Sequence, residues 1–206
     1  MFLMKLIFCY NISMIRKAMI NDIENIWKLH EDFRLDVSMV NDNDYLAKSQ
    51  GNGFIVSDST KEEIKKRIEG SLLFNVWEED GKIVGLIDVN KEIYFPEEAD
   101  NIIWLDKDLK SEYFHGNEGI TLHYVAVDEN YRGKGIATSL YKNSLETLKG
   151  KGYKHLFSIV TIAPVTNCPS IIWHTKMDFK RACVTMPIDL FGLKDYMSLL
   201  FYRPIL

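Results

Sequence analysis

Cysteine is scarce: Cys9, Cys168 and Cys183 are the only three in 206 residues. An odd, scattered set without metal-type spacing argues against a disulfide framework or a zinc site. It fits buried, inert thiols in a reducing cytoplasm. Long apolar runs are also lacking. The most apolar stretch, the opening MFLMKLIFCYNIS, is too short to span a bilayer. Its one basic residue, Lys5, lies inside the run, and no small-residue cleavage site follows. Residues 1–13 are therefore expected to be an extra edge strand, or a segment ahead of a start at Met14. There is no excess of positive charge. Lys and Arg number 25 against 29 Asp and Glu, a net charge of −4, so bulk charge gives no nucleic-acid footprint and no membrane-binding signal. Internal repeats and low-complexity segments are absent.

The composition that remains, 47% hydrophobic and 26% charged, is that of an ordinary globular chain able to bury a sizeable core. The pattern after Met14 reads as a short strand, then a helix capped near Asn21 or Asp22. The polar, glycine-punctuated NDNDYLAKSQGNGFIVSDS reads as a loop with little regular structure. STKEEIKKRIEG has a Ser59 or Thr60 cap, acids in the first turn and Gly70 at its end, so it reads as a helix. Asp80-Gly81 between two β-rich runs marks a hairpin. Residues 91–119 form a long insertion rich in acids and aromatics. Beyond it come the strand ITLHYVAV, a helix from GKGIATSLY onward, the strand KHLFSIVTI, a short helix NCPSIIWHTKM and two closing strands. Ile136, Leu140, Leu145 and Leu148 form the inner side of the long helix. The order predicts a mixed α/β sheet with helices on its faces.

The most informative stretch is VAVDENYRGKGIATSLY, where a strand turns into a helix through Gly133 and Gly135, flanked by Arg132 and Lys134. A helix start presents unpaired N–H groups and the positive end of the helix dipole. Glycine lets a ligand approach closely. A pyrophosphate cradle and a solvated basic turn fit this corner equally well. A G-x-x-x-x-G-K-S/T loop does not occur. The dinucleotide fingerprint fails too, because Thr138 stands at its third glycine and no acid ends the next strand.

The string that does fit is R-x-x-G-x-A, Arg132 to Ala137. With it the sequence resembles the GNAT superfamily of N-acetyltransferases over most of the chain after Met14. The resembling stretches, in order, are MIRKAMINDIENIWKLH, VWEEDGKIVGLIDV, LHYVAVDENYRGKGIATSLYKNSLETLKGKGYKHLFSIV and NCPSIIWHTKMDF. The resemblance implies one α/β N-acetyltransferase domain over 1–206, with a mostly antiparallel sheet splayed at the cofactor strand and flanked by helices. It implies acetyl-CoA (coenzyme A) as cofactor. The pantetheine arm would lie on backbone groups of Val125, Ala126 and Val127. The pyrophosphate would lie on backbone amides of Arg132, Gly133, Lys134, Gly135, Ile136, Ala137 and Thr138, helped by the Arg132 side chain and the Thr138 hydroxyl. Asn167 matches a cofactor-contacting asparagine, and Ser170 a small residue that permits close approach. Two positions depart from the pattern. Asp178 replaces a glycine, a position Asp can fill with left-handed backbone angles. His174 replaces the usual tyrosine acid, as in the branch resembling phosphinothricin acetyltransferase.

Acetyl transfer to an amine needs a base, a polarised carbonyl and a proton for the departing thiolate. Within the resemblance, the backbone N–H of Val125 is the expected carbonyl donor. His174 is the expected acid, because imidazole titrates near neutral pH. Glu118 and His123 are the candidate bases. Five residues apart, they face opposite ways on a regular strand unless a bulge shifts the register. Tyr124 and Tyr141 are read as packing residues, with lining of the acceptor site as the alternative. The acceptor is a small-molecule or peptide amine, and the acids between Lys91 and Gly119 suggest a cationic one. A non-catalytic acyl-CoA-binding module, another acyl donor and an O-acceptor stay open. Homodimers are frequent in the family, and no residue here decides the point.

Overall fold

The computed structural model describes residues 13–92, 95, 101–115 and 118–205. Apart from Ser13, the expected N-terminal strand lies outside them. The first strand is β1 (Ser13–Lys17), and the first helix, α1 (Ile23–Phe33), follows a 3-10 turn at Ile20–Asp22. The Asp22 carboxylate accepts from the Met19 N–H at 2.7 Å and from the Arg16 guanidinium at 2.6 and 2.9 Å. The hydrogen bond from Arg16, more than any other influence, holds that carboxyl below its usual range.

The stretch expected to be a loop contains a helix, α2 (Asn43–Asn52). The Asp42 side chain caps it by accepting from Tyr45 N–H at 2.8 Å. Tyr45 and Leu46 pack on a small cluster of Leu35, Phe54, Val165, Leu193 and Tyr196. Gly53, at φ 74°, ends it. A cap and two apolar contacts thus outweigh the polar composition that had argued for a loop.

Helix α3 (Lys61–Gly70) starts with a capping box in which Thr60 N–H donates to Glu63 at 2.7 Å and Thr60 Oγ1 accepts from Glu63 N–H at 3.3 Å. A cap of this kind contributes about 1 kcal/mol. Strands β2 (Leu73–Glu79) and β3 (Lys82–Asn90) form the expected hairpin. Asp80 and Gly81 have φ of 52° and 77°, and a two-residue turn of matching twist needs such positive values. The insertion carries two elements of its own, β4 (Ile102–Trp104) and α4 (Lys107–His115). Then follow β5 (Gly119–Val127), α5 (Ile136–Lys149), β6 (His155–Ala163), α6 (Cys168–Lys176) and β7 (Lys180–Thr185), and a hairpin of β8 (Ile188–Leu190) with β9 (Leu193–Pro204).

The strands lie in the order β1-β2-β3-β5-β6-β9-β7-β4, with β8 on β9. β5 and β6 pair parallel, and the other strand pairs are antiparallel. One face packs on α5, through Ile136, Leu140, Tyr141 and Leu148. Leu145 is only partly buried against the same cluster. The other face packs on α1 and α3, through Ile26, Leu29, Ile64 and Ile68. Gly85 is the close-packing point beneath α5: a Cβ there would come within 2.9 Å of Ile136 Cγ2.

The pairing of β5 with β6 determines where a site can form. It runs only from Gly119 with His155 to Leu122 with Ser158. Beyond that point β5 stays on β3 as far as Val127, while β6 stays on β9 as far as Ala163. Two strand edges therefore diverge and face each other across a V.

Candidate active site

A cavity of about 900 Å³ occupies the V and the space beyond it. Val125, Ala126, Val127, Ile159, Val160 and Thr161 line it from the two strands. Sheet edges without a strand partner carry backbone groups that need hydrogen bonds, so an extended ligand can add itself between them. The register of β5 against β3 skips His123, since Leu122 pairs with Val89 and Tyr124 with Asp88. The expected bulge therefore lies at His123, just ahead of Val125.

At the open end, Gly133 and Gly135 adopt φ of 76° and 79°. A Cβ on either would meet no heavy atom within 4 Å, so both border open space. Gly135 is the N-cap residue of α5, and no side chain caps that helix. The fourteen-residue helix thus directs its first N–H groups and the positive end of its dipole to this corner. Arg132, Gly133 and Ala137 line the cavity. Arg132 Nε donates to Val127 O at 3.3 Å, and its guanidinium lies over the Phe33 ring. Lys134 stacks on Tyr131, 3.9 Å from Glu79. The Ile136 side chain is in the core, so only its backbone faces the corner. Thr138 is half-buried on the first turn. These residues fit a pyrophosphate: uncapped amides, positive charge and room without a Cβ.

Helix α6 closes the other side of the V. Asn167 caps it, accepting from Ser170 N–H at 3.2 Å, and donates to Phe54 O at 2.8 Å. Its side chain therefore ties α6 to the 53–56 segment as well as lining the cavity. Asp178 takes φ 59°, the left-handed value its replacement of glycine requires.

His174 is 2% exposed. Its Nδ1–H donates to Ser170 O at 2.7 Å, and its Nε2 accepts from the Ser158 hydroxyl at 2.9 Å. Burial pushes the imidazole down to about 4. The expectation that His174 titrates near neutral pH is thereby corrected: the ring is neutral, and its one N–H is committed to a carbonyl. Ser158, which sequence reasoning did not single out, stands between His174 and the point where the strands part. Alternation along β6 put it on the same side as Leu156 and Val160, but the sequence did not show that it meets His174.

The two candidate bases separate. His123 lines the cavity, and burial lowers it to about 3, helped by the positive charge of Arg67. Its Nδ1 is 3.6 Å from Glu92. Glu118 does not line the cavity. Its carboxylate is 2.7 Å from Lys154 Nζ, and its carbonyl accepts from Lys154 N–H. It lies ahead of β5, at the end of the strand away from the V. The acids of the insertion also turn elsewhere. Glu92 binds Arg67, Asp106 caps the start of α4, and Glu112 lies 3.8 Å from His155. Glu97, Glu98 and Asp100 are outside the described residues. From this segment only Phe95 and Asn101 reach the cavity among the described residues. Tyr124 and Tyr141 also differ. Tyr124 lines the cavity, with its hydroxyl 3.0 and 3.2 Å from those of Ser57 and Ser59. Tyr141 is a core residue that accepts from Arg203. Among the described residues there is no cluster able to hold a metal ion and no helix long and apolar enough to cross a membrane.

The profile of the acetyltransferase (GNAT) family matches residues 44–179. No curated protein is similar enough in sequence to match. Among solved structures, smu.2055 from Streptococcus mutans UA159 shares 19% identity at a TM-score of 0.64, over 94% of this chain and 99% of that one. Arabidopsis thaliana NAA60, in complex with a bisubstrate analogue, shares 15% at 0.63, over 94% and 98%. The ribosomal-protein-S18-alanine N-acetyltransferase from Escherichia coli shares 13% at 0.61, over 94% of each. These likenesses establish a common fold.

Proposed function

The chain belongs to the acetyltransferase (GNAT) family, and on that footing we propose that it transfers an acetyl group directly from acetyl-CoA to a primary amine of a small molecule or peptide. One observation carries this reading: two diverging strand edges lead to an uncapped, glycine-led helix start. An extended arm ending in a pyrophosphate suits that combination. Acetyl-CoA, when bound, supplies the activated acetyl carbon and a thiolate leaving group. The N–H of Val125, next to the bulge, supports carbonyl polarisation. His123, held neutral by burial, is the base we assign. Ser158 and His174 form a proton shuttle beside it. His123 takes one proton from the incoming ammonium and loses it to solvent. The second proton, which the nitrogen loses as it bonds to the acetyl carbon, goes to Ser158 Oγ while the Ser158 proton moves to His174 Nε2; the reverse movement then delivers one proton from Ser158 Oγ to the departing sulfur. On His174 we also place the chain near the branch resembling phosphinothricin acetyltransferase. Cys183 is buried as expected, whereas Cys168 is exposed; both thiols are free, which supports a cytoplasmic setting.

Thiol release from acetyl-CoA in the presence of a panel of amines, with mass spectrometry of the products, tests this. Acetylated amine and stoichiometric thiol are the expected result. Calorimetric binding of acetyl-CoA without thiol release on any amine would make the chain a non-catalytic acyl-CoA-binding module.

A further inference from the structure

A second chamber, of about 350 Å³, adjoins the main cavity. The two share Val56, Ser57, Asp58 and Phe191 as a common wall. None of these four belongs to the strand edges or the glycine corner assigned to acetyl-CoA, so the shared wall leads away from the cofactor half. The second chamber is completed by Arg34, Leu35 and Val37. Its lining is mainly apolar, and the charge of Arg34 is already met by Glu31 at 2.9 Å.

Two features of the wall point to its ligand. Phe191 is 42% exposed and has φ 51°. It sits in the β8–β9 turn ahead of Gly192, at a position where Asn or Gly would adopt that angle at little cost. A bulky residue there is strained, and strain of this sort is a pointer to function. The sequence thus keeps an exposed aromatic ring on the wall of both chambers at a conformational cost. The other feature is Asp58, an exposed carboxylate lining both chambers that forms no ion pair with any described residue. Next to apolar walls, such a carboxylate attracts an ammonium group.

Building on the acetyl-transfer reading above, we propose that the acceptor is a primary amine with a compact apolar body, aromatic or branched aliphatic. The body occupies the second chamber against Phe191, Val56 and Val37, and the nitrogen passes Asp58 into the main cavity. The acids of the 91–119 segment, which had suggested a cationic acceptor, do not supply the described wall of either chamber.

The test is a comparison of kcat/KM for 2-phenylethylamine, isoamylamine, methylamine, spermidine and glutamate at fixed acetyl-CoA. The first two should exceed the other three by about tenfold or more, the range an apolar pocket supplies. Phe191→Asn keeps a residue that accepts positive φ, so folding should be preserved and the melting temperature unchanged or raised. In that variant the ratio of kcat/KM for 2-phenylethylamine over methylamine should fall by about tenfold. Asp58→Asn should raise KM for the amines and weaken its salt dependence, while KM for acetyl-CoA stays within about twofold. If spermidine or glutamate is the best acceptor, or the Phe191→Asn ratio is unchanged, this assignment is overturned while the acetyltransferase reading stands. If no amine supports thiol release, the acetyltransferase reading itself fails.

Discussion

Ser158 Oγ lies 2.9 Å from His174 Nε2, on the last residue of β6 that pairs with β5. Because Nδ1–H is held by Ser170 O at 2.7 Å, Nε2 carries a lone pair, and the Ser158 hydroxyl, which also lies 3.3 Å from Leu122 O, donates to it at the shorter distance. The serine and histidine thus form one unit. His174→Ala and Ser158→Ala should each lower kcat by about a hundredfold or more if the pair carries the proton. KM for acetyl-CoA should move much less. The double variant should lose no more than the worse single one, because members of one unit are not additive. Steady-state kinetics on the best acceptor, with melting curves to confirm folding, would decide it. Additive losses, or an unchanged kcat, would make the contact structural only.

Gly135 governs the anion corner in a different way. At φ 79° it occupies a region that side chains with a Cβ avoid, and the Cβ would protrude into open space at the start of α5. Gly135→Val should cost about 1–2 kcal/mol of stability from backbone strain. It should also abolish acetyl-CoA binding, because the new side chain occupies the space assigned to the pyrophosphate. Calorimetric titration checks this, and a folded variant with wild-type affinity would move the pyrophosphate elsewhere.

Acid should unfold the protein through its histidines. Burial is the main reason that His174 falls to about 4 and His123 to about 3, and burial also lowers His30. In the unfolded chain all three titrate near 6.5. Between that value and about 4 the unfolded state therefore binds more protons, and stability falls as the pH drops. Asp88 opposes them, because burial raises it to about 6, so the folded state takes up a proton first. His174 and His123 against Asp88 leave roughly one proton taken up on unfolding near pH 5.5, and His30 acts in the same direction. The urea midpoint should decline from pH 7 to pH 5, and His123→Gln should make the decline shallower. A flat profile would show that these rings are not held neutral.

The parts of the fold legible in the sequence were those with local chemical punctuation. Asp80-Gly81, the Thr60 cap and the glycine corner each fix backbone angles within a few residues, and each lies where expected. Helix α2 was missed because its support is tertiary: Tyr45 and Leu46 pack on a cluster that draws Val165, Leu193 and Tyr196 from more than a hundred positions away. The site divided in the same manner. The left-handed angles and open space at Gly133 and Gly135 were readable from spacing. The environment of His174 depended on Ser158 meeting it across the sheet–helix interface, and nothing in either local sequence reports that contact. The position of Glu118 was hidden for a related reason: only the register of β5 shows that it lies near the paired end of the V.

Arg67 provides the sharpest test of the electrostatics beneath the cavity. Its guanidinium is 3.4 Å from Asp88 and 2.6 Å from Glu92, and it lies over the Tyr124 ring. Asp88 is fully buried while Glu92 is half exposed, so Asp88 is the partner that depends on Arg67. Even beside this cation, burial raises Asp88 to about 6. At pH 7 the carboxylate is mostly ionised, and Arg67→Met leaves a buried charge without its cation. The variant should lose about 1.5 kcal/mol at pH 7, because a carboxyl that titrates at about 6 can take up a proton there at a cost of about 1.4 kcal/mol instead of staying charged without its cation. The carboxyl would rise further, so at pH 5 it is neutral with or without Arg67. The loss should therefore shrink on acidification, the reverse of the histidine effect. Adding Asp88→Asn removes the charge and should recover most of the loss at pH 7. Denaturant titrations of the wild type, Arg67→Met, Asp88→Asn and the double variant at pH 5 and 7 measure these quantities. A loss that is the same at both pH values, with no recovery in the double variant, would assign Arg67 to packing on Tyr124 and pairing with Glu92 instead.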